Sequence, residues 1–164
     1  MDKDNKKHIN MMNHGSCLVI YPGYFSNDFV VFEEGSLVQE ASSSTLHATS
    51  KIIERTAQRI SDSIRHAAGK GLEPYKIENA IRNNKPIIYF QGEEVDVKKE
   101  IEVPFKETGR LALAEIYSCL RLHSPDIILL VGVGALYFEI SIKEAFLNLQ
   151  VVKCEGSVAA VSKG

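Results

Sequence analysis

The sequence predicts an α/β domain, in which a mixed sheet with flanking helices carries a small α+β insertion. Two observations lead to this prediction. Short apolar runs bounded by turn residues alternate along the chain with segments whose apolar residues recur at helical spacing. The apolar run Ile127–Val131, moreover, lies between two such helical segments, which is typical of a buried parallel strand.

Length and composition indicate one globular domain without an electrostatic preference for nucleic acid. The chain has 164 residues, of which 45% are hydrophobic and 24% are charged. Its net charge of −2 gives no reason to expect DNA, RNA or an anionic membrane as a direct partner. The longest apolar run, Ile127 to Phe138, is too short to cross a bilayer. Residues 1–16 are expected to be a flexible segment, and the protein is expected to be cytoplasmic.

Cysteine and histidine spacing predicts neither a disulfide framework nor a metal site. The three cysteines, at positions 17, 119 and 154, form no C-x-x-C pattern, and each lies in an apolar segment. The five histidines form no H-E-x-x-H pattern. We therefore expect buried free thiols and no bound metal at these residues.

The first part of the chain is expected to form a strand meander. The apolar run Cys17–Ile20 ends in Tyr-Pro-Gly, and Phe29–Phe32 follows a polar turn, so the two predict a hairpin. A third strand is expected at Leu37–Ala41. The hydroxyls of the following stretch, Ser42–Thr45, suit a loop and a helix cap.

A long amphipathic helix and a small insertion follow. Apolar residues recur at helical spacing from about His47 to Ala68. The insertion, at about residues 71–103, is expected to contain a short helix, Pro74–Asn83, and two strands, Pro86–Phe90 and Val95–Val97. Pro104 is expected to close it.

The last part of the chain predicts a helix, a buried strand, a glycine loop, a helix and a strand. The helices are expected at Phe105–His123 and about Phe138–Leu147, and the strands at Ile127–Val131 and Leu149–Cys154. The loop, residues 132–135, therefore follows the carboxyl end of a buried strand. Ligands bind at that end of the strands in open α/β sheets.

Glycine loops of this kind can bind phosphate, because a residue without Cβ lets backbone N–H groups approach an anion closely. The candidates are Gly23, Gly132 and Gly134, with Ser26 and Asn27 as further donors and Asp28 as a group that orients metal-bound water or caps the turn. Each loop also has a purely structural interpretation. A G-x-G-A stretch is common where a strand packs tightly on a helix, and Pro-Gly is an ordinary hairpin turn.

The order of these elements resembles the second large domain of the actin and sugar-kinase ATPase superfamily. Within that superfamily the sequence is most similar to the plasmid-segregation proteins of the ParM and StbA type. The resemblance spans Cys17 to Gly164 and is carried by residues 19–31, 77–82, 127–135 and 159–164. It implies that residues 17–164 form a ribonuclease H-like half of an actin-like ATPase.

The resemblance also implies a nucleotide site. The family's first loop resembles D-x-G-x-x-T-x-D, and its late glycine loop holds adenosine. The phosphate-loop positions are matched by Gly23, Ser26 and Asp28, with Asn27 between them, and the adenosine-loop positions by Gly132, Gly134 and Ala135. ATP or ADP with Mg²⁺ is the cofactor that this match implies.

The sequence departs from the family pattern at two positions and in extent. Tyr21 stands at the acidic position, and a phenol does not supply the charge of a carboxylate near pH 7. Val133 replaces the middle glycine of the second loop. The family's first large domain would precede Cys17, where this sequence has a short polar segment. We therefore expect a pseudo-ATPase without independent activity, and we assign no catalytic residue.

Three functions are compatible with these features. The first is a truncated actin-like domain that acts in plasmid maintenance by binding a protein, such as an actin-like relative or another copy of itself. The second is the nucleotide-binding half of a segregation ATPase that a partner domain completes. The third is an unrelated small α/β binding module. The first is favoured, because the acidic residue and the first domain are both missing.

Overall fold

The computed structural model describes residues 3–64, 69–132 and 134–154. In chain order the elements are α1 Lys3–His14, β1 Ser16–Pro22, β2 Asn27–Glu33, β3 Ser36–Thr45, α2 Thr49–Ser63, α3 Pro74–Arg82, β4 Ile87–Phe90, β5 Glu93–Asp96, α4 Val97–Glu100, α5 Glu102–Leu120, β6 Ile127–Val131, α6 Ala135–Ala145 and β7 Gln150–Cys154. None of the helices in the described ranges is long and apolar enough to cross a membrane.

The described residues divide into two compact units. The first contains the residues up to Thr49 together with those from Gly109 onward, and the second is Ser50–Thr108. The predicted insertion at about 71–103 lies inside the second unit. The second unit contains more residues than the predicted insertion, because α2 contributes to its core.

The first unit is built on a five-stranded sheet in the order β3-β2-β1-β6-β7. Strand β2 is antiparallel to both β1 and β3, whereas β6 is parallel to both β1 and β7. Three residues of β6, Ile127, Ile128 and Leu130, have no solvent exposure, as the unbroken apolar run predicts for an interior parallel strand. The mixed sheet with flanking helices confirms the predicted fold class.

The N-terminal segment differs from the flexible lead-in that its charged composition predicts. Residues 3–14 form α1, which contacts β1, β2 and β6. Met11 packs against a cluster of Cys17, Ile127 and Leu129 on one face of the sheet. The backbone N–H of Gly15 donates to the Met11 carbonyl at 2.9 Å and ends the helix. The helix is thus held by apolar contact with the sheet.

Strand β3 is longer than predicted. The stretch Ser42–Thr45, expected to be a loop and cap, belongs to the strand and extends its pairing with β2. A register shift between Phe29 and Val31 accommodates it. There the Ser42 hydroxyl accepts from the Val31 N–H at 3.0 Å and donates to the Val38 carbonyl at 2.7 Å. A serine side chain thus replaces a missing strand-to-strand hydrogen bond.

The second unit packs α2, α3 and the short α4 against a two-stranded antiparallel sheet, β4-β5. Its buried residues are Ile53, Ala57, Ile60, Leu72, Ile77, Ala80, Phe90, Val95 and Val97. Gln91 and Gly92, at φ 51° and 84°, form the hairpin turn, and β5 therefore begins at Glu93, earlier than predicted. Val97, predicted to be in that strand, starts α4, because Asp96 caps it by accepting from the Lys98 N–H at 3.0 Å. Pro104, expected to close the insertion, lies in the first turn of α5.

The cysteines are free thiols with different exposure. Cys17 is buried, whereas Cys119 and Cys154 are half-buried. Burial, and to a lesser degree the neighbouring Cys154 thiol, raises the pKa of Cys17 to about 11. Since the thiolate is the nucleophile, Cys17 is shielded both by its position and by its protonation.

We expect a thiol reagent at about pH 8 to modify Cys119 and Cys154 before Cys17. The raised pKa of Cys17, about 11 instead of 9.0, also means that the protonated thiol stabilises the folded state. This stabilisation is complete below pH 9 and is lost as the pH rises through 11. Mass spectrometry of the labelled peptides measures the order, with denatured protein as the control in which all three react alike. Equal rates for Cys17 and Cys119 in folded protein would contradict the assignment.

Candidate functional site at the carboxyl end of the sheet

Both predicted loops lie at one end of the sheet. Strands β1 and β6 are parallel neighbours, paired from Cys17 with Ile127 to Ile20 with Leu130. The residues that follow, Tyr21 and Pro22 on one strand and the glycine loop on the other, therefore leave the sheet side by side. This end of an open α/β sheet is where a ligand is expected.

The two glycines of the second loop are contacted by β1 itself. A Cβ on Gly132, whose φ is 99°, would lie 2.8 Å from Cε2 of Tyr21. A Cβ on Gly134 would lie 2.2 Å from the Pro22 carbonyl oxygen. Both distances are shorter than any real Cβ contact. These glycines therefore allow the loop to pack on the end of β1, which is the structural role that the sequence left open.

The loop continues into α6 through its own backbone. The Ala135 N–H donates to the Gly132 carbonyl at 3.2 Å, and the Tyr137 N–H donates to the Gly134 carbonyl at 3.0 Å. Ala135 is buried, and Gly134 caps the helix without a side-chain hydrogen bond. The first turn of α6 is thus set directly against β1.

The hairpin between β1 and β2 is a tight turn with an aromatic tip. The Gly23 N–H donates to the Ser26 carbonyl at 2.8 Å, and a Cβ on Gly23 would lie 2.5 Å from that oxygen. Between them stand Tyr24 and Phe25, in edge-to-face contact with ring centroids 4.8 Å apart. Phe25 is 75% exposed. The turn therefore presents apolar rings where the sequence match predicts a phosphate loop.

The polar candidates of this hairpin lie in different surroundings. Asn27 is buried, and its Nδ2 donates to the His47 carbonyl at 2.6 Å, so this donor is already in use. Its Oδ1 is buried without a hydrogen-bond partner. Asp28 is exposed and stands directly opposite Tyr21 across the strand pair, so the two side chains share a face. Ser26 is half-buried. The structure thus brings Tyr21, Asp28 and Gly132 together and directs Asn27 into the protein.

The turn between β3 and α2 completes this end of the unit. The Thr49 N–H donates weakly to the Gly23 carbonyl at 3.5 Å, and the Thr49 Oγ1 is buried without a partner. Leu46, in the same turn, is exposed. Neither residue could be recognised from the sequence, because a threonine at a helix start and a lone leucine have no distinctive pattern.

Besides Tyr21, which lies against Gly132, four large apolar side chains of the described residues are exposed at this end of the sheet. They are Tyr24 and Phe25 in the hairpin, Leu46 in the turn before α2, and Leu136 in the first turn of α6, with exposures from 40% to 75%. We call this set the apolar end. Tyr24 and Phe25 are in contact, and exposed apolar groups that lie together, unlike scattered single ones, mark interaction sites.

Glu139 on α6 is paired with two lysines. Glu139 accepts from the Lys143 Nζ at 2.6 Å and lies 3.6 Å from the Lys153 Nζ of β7. The hydrogen bond from Lys143 lowers the pKa of Glu139 below its usual range. These two lysines are thus directed to a carboxylate on α6.

Solved structures share this arrangement of elements. The chain superposes on a non-polymerisable quadruple mutant of pCBH ParM with a TM-score of 0.73 at 19% identity, over 93% of this chain and 46% of that one. The archaeal actin homolog Ta0583 gives a TM-score of 0.73 at 16% identity, again over 93% and 46%. The chain has an actin-like fold. ParM from Bacillus thuringiensis with ATP also matches, with a TM-score of 0.60 at 16% identity over 86% and 42%.

These matches confirm the predicted resemblance at the level of the fold. The actin-like domain spans less than half the length of each of these proteins, so it corresponds to a part of their structure. No family model and no curated protein matches the sequence. An actin-like fold does not favour the alternative of an unrelated α/β module.

Proposed function

We propose that this actin-like domain acts by binding another protein through the apolar end, in plasmid maintenance, and does not hydrolyse ATP on its own. The observation that carries the proposal is the exposure of Phe25 and Tyr24 in the turn that the sequence match assigns to phosphate. Two rings in contact at the tip of a tight hairpin are a poor phosphate cradle. They are the kind of rigid apolar group that dominates protein interfaces.

The remaining residues of the site fit Mg²⁺ and nucleotide poorly. Tyr21 stands at the acidic position, and its ring lies against Gly132. The Asn27 side-chain amide is buried and donates to the His47 carbonyl, so this donor is directed into the protein. Within the described residues, no group of three or more His, Cys, Asp and Glu side chains is placed to hold a metal ion. Mg²⁺ that is bound with a nucleotide commonly takes one or two protein carboxylates besides the phosphates, and Tyr21 supplies none at this position.

The test places a photo-crosslinking phenylalanine analogue at Phe25 in the native host. We expect one predominant covalent adduct to form at this position. The matched control places the same analogue at Leu122, which is 98% exposed and is not part of the apolar end. Identical adducts at both positions, or none at Phe25, would contradict the proposal.

Once that protein is purified, Phe25→Ala measures the strength of the contact. We expect the substitution to weaken binding by about 2 kcal/mol, or roughly 30-fold, as for a central aromatic residue of an interface. Leu122→Ala is expected to change the affinity less than twofold. Equal affinities for the protein and its Phe25→Ala variant would place the interface elsewhere.

A second candidate function is the nucleotide-binding half of an ATPase that a partner domain completes. It is favoured by one observation at the first turn of α6. Gly134 leaves the first turn of this helix without a side-chain cap, and helix N-termini attract anions. A partner domain that supplies the missing charges would turn this end into half of a nucleotide site. In that case ATP would bind the mixture of the two proteins and neither protein alone, and the mixture would be the only species to hydrolyse it.

A further inference from the structure

The two-stranded sheet of the second unit has an unprotected edge. Among the described residues, β5 is the only strand that pairs with β4, so the other side of β4 keeps a row of N–H and C=O groups without strand partners. Such an edge is a template for another strand. A sheet of two strands is also barely stable by itself and gains from extension.

The composition of β4 does nothing to block an added strand. Residues Ile87–Phe90 carry no charge and no proline, and two of the side chains, Ile87 and Tyr89, are 44% and 68% exposed. The edge strand β3 in the first unit is different, because it is polar and has a register shift. Charged residues and irregularities of that sort are how proteins protect edges. Among the described strands, β3 thus has features that protect an edge, whereas β4 has none of them.

The side chains of β4 are self-complementary about Ile88. Ile87 and Tyr89 point to the exposed side, while Ile88 and Phe90 belong to the core of the unit. A two-fold axis through Ile88 places Ile87 of one copy opposite Tyr89 of the other and keeps both exposed faces on one side. Aromatic and β-branched residues opposite each other are favourable cross-strand pairs. The same patch on both copies is what a closed dimer requires.

The acidic residues of the hairpin do not oppose this pairing. Glu93, Glu94 and Asp96 lie on β5, on the far side of β4. In a four-stranded sheet β5-β4-β4-β5 the two acidic strands are three strand spacings apart, about 14 Å. That is beyond the Debye length of about 8 Å at physiological ionic strength. Their repulsion is therefore screened at physiological salt and grows as salt is removed.

We propose that β4 pairs antiparallel with β4 of a second copy, centred on Ile88, to form a continuous four-stranded sheet across a two-fold axis. The occupant is a second copy because the strand is uncharged and complements itself in register. The contact is short, so the dimer is a weak one that forms at high concentration. It is independent of the apolar end, which belongs to the first unit.

Sedimentation equilibrium of the full chain from about 5 to about 500 μM tests the proposal. This concentration range covers the dissociation constants expected of a weak dimer. We expect reversible dimerisation that weakens at low salt. Ile87→Lys, which adds a charge at the edge, is expected to raise the dissociation constant at least tenfold. Tyr75→Lys is the matched control, because Tyr75 is 54% exposed on α3 of the same unit. A monomer throughout the range, or equal effects of the two variants, would overturn the proposal.

The register is tested by Ile88→Cys, because residues on the axis face each other across the strand pair. Cα atoms at such positions are about 4.5 to 5.5 Å apart, within the range that a disulfide spans. Mild oxidation is expected to give a covalent dimer of this variant, above the level of the unmodified chain with its three native cysteines and of Tyr75→Cys. A yield of covalent dimer no higher than in these controls would contradict a closed two-fold pair, and so would a ladder of higher oligomers. Circular dichroism checks the fold, and if Ile88→Cys fails to fold, the Ile87→Lys comparison decides.

Discussion

Substitution of Gly134 by alanine is expected to lower the free energy of unfolding by about 3 kcal/mol. The added methyl group would lie 2.2 Å from the backbone carbonyl oxygen of Pro22. Backbone cannot rotate away as a flexible side chain can, so β1 and the glycine loop would have to separate. Urea denaturation of the variant and the unmodified chain measures the difference.

Gly69→Ala is the matched control for this prediction. A Cβ at Gly69 would meet nothing within 4 Å, and the same substitution there is expected to change stability by less than about 0.5 kcal/mol. If Gly134→Ala were as stable as Gly69→Ala, the inference that the loop packs closely on Pro22 would be wrong. The glycine would then be free for a ligand.

Leu130→Ala is expected to cost more, about 3 to 5 kcal/mol. Leu130 has no solvent exposure and stands opposite Ile20 of β1 and Lys153 of β7, one residue before the end of β6. Truncation leaves a cavity beside β6, the strand that leads into the glycine loop. Because small domains are stable by only about 5 to 15 kcal/mol, a large share of the molecules would unfold on mild heating. Differential scanning calorimetry measures the loss.

Leu122→Ala is the matched control, because it removes the same atoms from a leucine that is not buried. Leu122 is 98% exposed, so Leu122→Ala is expected to leave the unfolding temperature almost unchanged. A loss below about 1 kcal/mol for Leu130→Ala would mean that β6 is not a buried interior strand of the sheet. Such a result would also remove the support for placing the two loops side by side.

Much of the sheet could be predicted from sequence because its signals are local. The run Ile127–Val131 ends at a glycine and has the length of a strand, and the structure has β6 at those residues. The helix α1 and the end of β3 could not be predicted in the same way. The first depends on Met11 packing against the sheet, and the second on the Ser42 hydroxyl at a register shift. Both are contacts between distant segments.

The candidate site was predictable in its positions but not in its contacts. The sequence singled out the glycines at 23, 132 and 134, and the family resemblance predicted that Tyr21 stands at an acidic position. It did not show that Tyr21 and Pro22 lie against Gly132 and Gly134, because the residues are far apart in the chain and meet only through the β1–β6 pairing. The use of the Asn27 amide by the His47 carbonyl was hidden for the same reason.

The most direct test of the central claim is a calorimetric titration of the purified chain with ATP and ADP, with and without Mg²⁺. The claim is that this end of the actin-like fold is filled by its own residues, Tyr21 and Pro22, and offers apolar rings in place of a phosphate cradle. It predicts no saturable heat up to about 5 mM nucleotide. Binding with a dissociation constant of about 10 μM or tighter that depends on Mg²⁺ would contradict it.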